Sequence, residues 1–161
     1  MKSIIIFGGS GYVGKNLTRS FVKKGYKIII PYQRQIDEAN LRLLGSVGQI
    51  IPFYFSTLKN PKLLSILKNA DICINLKTTW DSKESLLEKS IYTFNKELTE
   101  IIKQSSTMKK FIFFSGLGTE KRSTLRNEII SKTEELITKE LKNSYTSLFW
   151  EPKNDQLYVM K

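Results

Sequence analysis

An α/β fold built on a doubly wound parallel sheet is what this sequence predicts, and three observations predict it. Short apolar runs alternate with stretches of helical periodicity, the runs are continuous rather than alternating, and the first breaks at a glycine cluster that opens a helix. Ser3–Phe7 has the pattern of a strand buried on both faces. Tyr12–Lys24 reads as a helix, with Val13, Leu17 and Phe21 on one stripe and Gly25 as its stop. Tyr26–Ile30 is a second strand closed by Pro31, Ile36–Leu44 a short helix, and Gln49–Phe55 a third strand. The helix Pro61–Lys68 precedes the strand Ala70–Leu76. Glu84–Ser105 is a long helix with Leu87, Ile91, Phe94, Leu98 and Ile101/Ile102 at helical spacing. Lys110–Ser115 makes a fifth strand, Ser123–Leu141 a helix striped by Leu125, Ile129, Leu136 and Leu141, and Tyr145–Trp150 a sixth strand. Glu151–Lys161 has no clear element. Helices between strands demand right-handed parallel crossovers, so about six strands are expected in the order 3-2-1-4-5-6, with the ligand crevice at the carboxyl ends of strands 1 and 4. Residues 1–152 form one domain on this reading, and 153–161 an irregular tail.

Composition removes several classes of chemistry. At 161 residues the chain can bury a core without staples. It has no His and one Cys, Cys73, which excludes a structural zinc site, a disulfide framework and any His-based acid–base or nucleophilic mechanism. No apolar run approaches the roughly 20 residues of a membrane span. Met1-Lys2 leads straight into an apolar strand with no signal or transit segment, which points to a cytoplasmic, reducing compartment. The net charge of +11 comes from 26 Lys+Arg against 15 Asp+Glu. A chain rich in Lys, Ile and Asn but holding only Ala39 and Ala70 as alanines reflects A/T-rich codons, so much of this charge is composition bias. Pairs such as Lys23-Lys24 and Lys109-Lys110 are scattered rather than clustered among aromatics, which favours a solvated basic surface over a nucleic-acid footprint.

The stretch Gly8-Gly9-Ser10-Gly11-Tyr12-Val13-Gly14-Lys15 carries the functional signal. Gly8, Gly11 and Gly14 stand at G-x-x-G-x-x-G spacing between an apolar strand and an amphipathic helix. Gly8 permits the sharp exit from the strand, Gly11 lets a pyrophosphate approach the backbone, and Gly14 lets the helix pack closely on the sheet. Ser10 and the free N–H groups of Tyr12, Val13 and Gly14 then face the phosphates at the positive end of the helix dipole. Strand 2 runs out through Ile30-Pro31-Tyr32-Gln33-Arg34 with no carboxylate before Asp37, where an NAD site would place one on the ribose 2′-OH. Lys15 and Arg34 are placed to flank a 2′-phosphate, so NADP(H) is favoured over NAD(H).

The glycine loop, together with Ile29-Ile30-Pro31-Tyr32, Leu41-Arg42, Leu44-Gly45 followed by Gly48-Gln49, Ile74-Asn75-Leu76, Lys110-Phe111-Ile112 with Ser115, and Leu125-Arg126-Asn127, resembles the atypical short-chain dehydrogenase/reductases. The likeness is nearest to the group of the NAD(P)H-binding accessory subunit of respiratory complex I and its bacterial NAD-dependent epimerase/dehydratase-like relatives, and it runs from about Ser3 to Pro152. It implies a Rossmann-type fold and a bound dinucleotide. It also implies a respiratory complex or another protein subunit as partner, a peripheral place at the inner face of a respiratory membrane, and homodimerisation through the long fourth and fifth helices.

Catalytic members of that superfamily use a Ser or Thr after strand 5 and a Tyr-x-x-x-Lys on the next helix. Ser115 stands at the matching strand end. Alignment through Leu125-Arg126-Asn127 puts Thr124 at the Tyr position and Glu128 at the Lys position, where a hydroxyl replaces a phenol and the charge is reversed. Tyr92-Thr93-Phe94-Asn95-Lys96 does spell Tyr-x-x-x-Lys, but on the helix before strand 5, which the fold directs to the outer face. Relatives place Asp after strand 3, where this chain has Ser56-Thr57, and a small glycine-containing loop after strand 4, where it has Lys77-Thr78-Thr79-Trp80. Trp80 is expected to pack, or to stack on or block a ring. Extended members carry substrate specificity beyond strand 6, and Phe149-Trp150-Glu151-Pro152 resembles the start of that half. The expectation is therefore a shortened chain with an exposed sheet edge. Three readings follow: a non-catalytic NAD(P)H-holding domain in which Ser115 is only a remnant, an active reductase or epimerase with another acid–base residue, and a degenerate scaffold or gene remnant without cofactor.

Overall fold

A computed structural model describes residues 2–34, 36, 38–116, 119, 124–141, and the backbone of strands 145–151 and 156–160. The expected doubly wound architecture is present. The strands are β1 (Ser3–Phe7), β2 (Lys27–Tyr32), β3 (Ile50–Tyr54), β4 (Ile72–Asn75), β5 (Lys110–Phe114), β6 (Tyr145–Glu151) and β7 (Gln156–Met160), in a single sheet ordered β3-β2-β1-β4-β5-β6-β7. β3 through β6 pair in parallel.

One element was absent from the sequence expectation. The tail read as irregular contains β7, which runs antiparallel to β6 with Glu151 opposite Gln156 and Ser147 opposite Met160. Leu157-Tyr158-Val159-Met160 is a short run of strand formers, and Pro152-Lys153-Asn154-Asp155 has the composition of a turn. The edge of β6, expected to lie open, is paired by this hairpin.

Around the sheet stand α1 (Tyr12–Lys23), α2 (Glu38–Arg42), α3 (Pro61–Asn69), α4 (Glu84–Leu87), α5 (Phe94–Lys103) and α6 (Leu125–Leu141). β1 shows why both faces are covered. Ile4 and Ile6 enter one core with Ile28, Ile30, Leu41 and Ile50, under α1 and α2. Ile5 and Phe7 enter the other, with Leu63, Leu98, Phe111 and Ile137 of α3, α5, β5 and α6. Ile4, Ile5, Ile6 and Phe7 are all buried, as the pleat of a central strand requires.

Two prolines lie inside strands, and the register accommodates both. Lys27 N–H donates to Lys2 C=O and Ile28 N–H to Gln49 C=O, so the odd-numbered residues of β2 face β1. Pro31 thus lacks an N–H where its acceptor, the Ile6 carbonyl, is already taken by Gly9 N–H. The sequence reading closed β2 at Pro31; the strand instead runs to Tyr32. Pro52 points its missing donor outward from the edge strand β3, since Phe55 N–H is the one that meets Tyr32 C=O.

The helix expected over 84–105 is interrupted. A π-helical segment, Glu88–Thr93, separates α4 from α5. Asn95, fully buried, donates from Nδ2 to Ile91 C=O at 2.7 Å, taking a carbonyl inside that segment.

Candidate functional site

The glycine loop joins β1 to α1 at the carboxyl edge of the sheet. Gly8 has φ +78, and a Cβ there would lie 3.0 Å from the Leu76 carbonyl carbon. A Cβ on Gly14 would stand 2.5 Å from both Gly8 O and Gly9 Cα, so α1 reaches the loop only because residue 14 has no side chain. Gly9, which the sequence pattern did not single out, is also closely approached, with a Cβ there 2.8 Å from Ile30 Cγ2. At Gly11 a Cβ would meet only Gly8 O, at 3.4 Å, so its other side is open.

Gly11 is also the N-cap of α1. The helix has no side-chain cap and no acidic residue in its first turn. α3 begins differently, with Asn60 Oδ1 accepting from Lys62 N–H at 3.0 Å and Leu63 N–H at 3.3 Å. The first donors of α1 are left to solvent or a ligand, and the dipole favours an anion.

An open cleft of about 870 Å³ lies above this loop. Of the sequence-predicted residues, Gly8, Ser10, Gly11 and Arg34 line it. Gly14 is buried beneath the loop, the Tyr12 side chain is 82% exposed, and Val13 and Lys15 are half-buried outside the lining. The far wall comes from Ser90 and Thr93 of the π-helical segment and from Phe94 and Glu97 of α5. One face of the helical stretch expected to lie wholly outside therefore borders the crevice.

At the end of β2 the cleft is bounded by Tyr32, Gln33 and Arg34. Glu38 is the nearby described carboxylate, and it is engaged elsewhere. It accepts from the Tyr32 hydroxyl and pairs with Arg42 at 3.4 Å. The hydrogen bond to Glu38 raises the Tyr32 phenol above its ordinary range. Asp37 lies outside the described residues. Ser56 and Thr57, after β3, line the cleft, and Ser56 C=O accepts from Gln33 Nε2 at 3.2 Å.

The β4 end supplies residues that sequence reasoning missed. Buried Asn75 donates from Nδ2 to Asn95 Oδ1 at 2.7 Å and accepts Lys77 N–H on Oδ1 at 2.9 Å, which ties the following loop to α5. Lys77 Nζ reaches across the cleft to Gln33 Oε1 at 2.7 Å and lies 3.9 Å from the centroid of the Phe94 ring. Burial, then Arg34 and Lys89, hold its ammonium below the usual Lys range. Arg126 closes the other end of the same loop, donating from Nη2 to Thr78 Oγ1 at 2.8 Å and from Nε to Thr79 C=O at 3.3 Å. Its guanidinium stacks 4.1 Å from the Trp80 ring, and Trp80 is 83% exposed and outside the cleft lining. The one sequence signal for Lys77 is that the resemblance implies a small, glycine-containing loop where this chain has Lys77-Thr78-Thr79-Trp80.

The positions matching the superfamily's reductase residues lie apart from the cleft lining. Ser115 is buried at the end of β5, and its Oγ has no hydrogen-bond partner among the described residues. Thr124 Oγ1 accepts Asn127 N–H at 3.2 Å and Thr124 C=O accepts Glu128 N–H at 2.9 Å, the pattern of an N-cap for α6. Glu128 is exposed in the first turn. The Tyr92 ring packs under Lys132 Nζ at 4.4 Å, against α6, and neither Tyr92 nor Lys96 lines the cleft. Among the described residues no group of His, Cys, Asp and Glu could hold a metal ion, and no helix is long and apolar enough to cross a membrane.

A model of the NAD dependent epimerase/dehydratase family matches residues 4–135. The chain is 24% identical over 123 residues to NADH dehydrogenase (ubiquinone) 1 alpha subcomplex subunit 9, mitochondrial, of Arabidopsis thaliana, covering 75% of this chain and 31% of that protein. It is 27% identical over 124 residues to sterol-4-alpha-carboxylate 3-dehydrogenase, decarboxylating, of Dictyostelium discoideum, covering 73% of this chain and 36% of that protein. A solved UDP-Glc/GlcNAc 4-epimerase from Campylobacter jejuni superposes with a TM-score of 0.71 at 16% identity, over 92% of this chain and 52% of that one, and shows the shared fold. The chain spans about a third of the length of the curated relatives it matches.

Proposed function

The chain belongs to the NAD dependent epimerase/dehydratase family, and from that premise we propose that it holds NADP(H), in preference to NAD(H), without turning it over. The observation that carries this reading is the start of α1, an uncapped helix end with no acidic residue in its first turn, opening beside Gly11 onto the cleft. Gly8, Ser10 and Gly11 would cradle the pyrophosphate, with the N–H groups of Tyr12, Val13 and Gly14 and the charge of Lys15 at the helix end. Arg34 at the end of β2 would read the 2′-phosphate, a role supported by the engagement of Glu38 with Tyr32 and Arg42.

When bound, the nicotinamide supplies or accepts a hydride. Reduction of a carbonyl would also need a proton donor beside the substrate. Thr124 spends its hydroxyl on capping α6, and Glu128 carries the opposite charge to the Lys that lowers a catalytic phenol's pKa. Those two observations support a structural cofactor, which stabilises the fold by mass action. The relationship to a subunit of NADH dehydrogenase extends the proposal to a peripheral place on a respiratory assembly. The test is NADPH binding by the purified chain, followed by NADPH oxidation with a panel of carbonyl compounds. Binding without oxidation is expected. Carbonyl-dependent oxidation would overturn the non-catalytic half of the proposal, and a folded chain that binds no dinucleotide would overturn the cofactor half.

A further inference from the structure

We propose that Lys77 is a specificity-determining residue of the cleft, its ammonium forming with Arg34 a pair that reads the ribose 2′-phosphate of NADP(H). The inference rests on the reading that the cleft holds a dinucleotide, and it adds a residue from the opposite wall.

The argument begins with reach. Ribose 2′ substituents are read at the end of the second strand of such a fold, here Gln33 and Arg34. Lys77 belongs to the loop after β4, yet its Nζ is 2.7 Å from Gln33 Oε1, the residue next to Arg34. Two cations, one after β2 and one after β4, therefore line the same cleft, and the charge of Arg34 is felt at Lys77. The partners of Lys77 Nζ are a neutral amide oxygen and the Phe94 ring, and among the described residues no carboxylate forms an ion pair with it.

Holding a half-buried ammonium on those two partners is costly, because neither returns the solvation that a charge loses. Its lowered basicity reports the same burden, from burial first and the charges of Arg34 and Lys89 after it. A dianionic phosphate between Arg34 and Lys77 would relieve the repulsion and replace the amide oxygen with a charge-assisted hydrogen bond. NADH brings a neutral hydroxyl to the same place and relieves nothing. Gln33, anchored through Nε2 to Ser56 C=O, holds the Lys77 head in position until that phosphate arrives.

The experiment is calorimetric titration of the whole chain with NADPH and with NADH, comparing wild type with Lys77→Met and Lys77→Arg. Methionine keeps the stem that packs on Phe94 and removes the charge; arginine keeps the charge. The expected result is a loss of at least tenfold in NADPH affinity for Lys77→Met, less than a twofold change for NADH, and a retained NADPH preference in Lys77→Arg. A Lys77→Met chain with unchanged preference, or with equal losses for both nucleotides, would overturn the inference and leave dinucleotide binding intact. Wild type that binds NADH but not NADPH would do the same, and wild type that binds neither would overturn the underlying function as well. A second readout needs no variant: mass spectrometry of amine-labelled wild type should show Lys77 protected by saturating NADPH and not by saturating NADH. Equal protection by both, or by neither, would overturn the pair.

Discussion

Gly11 and Gly14 belong to one motif yet do different work. Gly14→Ala drives a methyl into Gly8 and Gly9, where backbone blocks it at 2.5 Å. That overpacking should lower stability by about 1–3 kcal/mol in urea unfolding. Gly11→Ala meets only ordinary contact at 3.4 Å, with φ at −74. Its stability should fall by no more than about 1 kcal/mol, the cost of a poorer N-cap, while NADPH affinity falls at least tenfold because the methyl faces the open side. Asp71 carries a separate, structural prediction. Ser3 N–H donates to its carboxylate at 2.9 Å, and Lys109 stands 3.7 Å away. The Ser3 hydrogen bond, aided by Lys109, holds its pKa below the ordinary value. The contribution is therefore fully present above roughly pH 4, the unfolded carboxyl's range, and is lost as pH falls through the lower folded value. Asp71→Asn should be less stable than wild type at pH 7, and the gap should close on acidification. At this scale the glycines were legible because backbone approach leaves a residue-type signature. Lys77 was not, because its contact with Gln33 depends on the reach of a side chain from the loop after a different strand.

Helix starts separate the two halves of the candidate chemistry. α1 is left open at its N-terminus, whereas α6 is capped by Thr124. Thr124→Ala should cost about 1 kcal/mol of stability, the usual worth of such a cap, with NADPH affinity unchanged; a larger effect on binding than on stability would move Thr124 into the site. The π-helical segment has its own test. Asn95→Ala leaves Asn75 Nδ2 without its buried acceptor, while the Ile91 carbonyl keeps the Phe94 N–H, a loss of about 1–3 kcal/mol in chemical denaturation. The buried stripe of this region was legible in the sequence, since Leu87, Ile91, Phe94, Leu98 and Ile102 are all buried. It did not show the π-helical segment, because one extra residue in a turn barely disturbs a hydrophobic stripe. That segment brings Ser90 and Thr93 onto the cleft, which is why a face expected to be external borders the site.

Over the whole molecule, alternation and crossover handedness pointed to a doubly wound sheet, the glycine loop after the first strand pointed to the dinucleotide-binding strand order, and the sheet runs β3-β2-β1-β4-β5-β6 accordingly. β7 escaped because crossover logic says nothing of a hairpin, and a four-residue apolar run carries little periodicity. The position of the cleft was equally legible, since the reversal of strand order beside β1 places it. Its walls were not, for they are built by the Asn75–Asn95 bond and the Arg126 clamp, which join residues far apart in the chain. A cofactor held structurally links stability to nucleotide: at 100 times the dissociation constant, NADPH should add about 2.7 kcal/mol to unfolding. The most direct test of dinucleotide holding is calorimetric titration of the purified wild-type chain with NADPH and NADH beside a Gly11→Asp variant, which sets a carboxylate at the open helix end. Micromolar NADPH binding, weaker for NADH and lost in Gly11→Asp, is the predicted result. A folded wild-type chain that gives no binding heat with either nucleotide would contradict it.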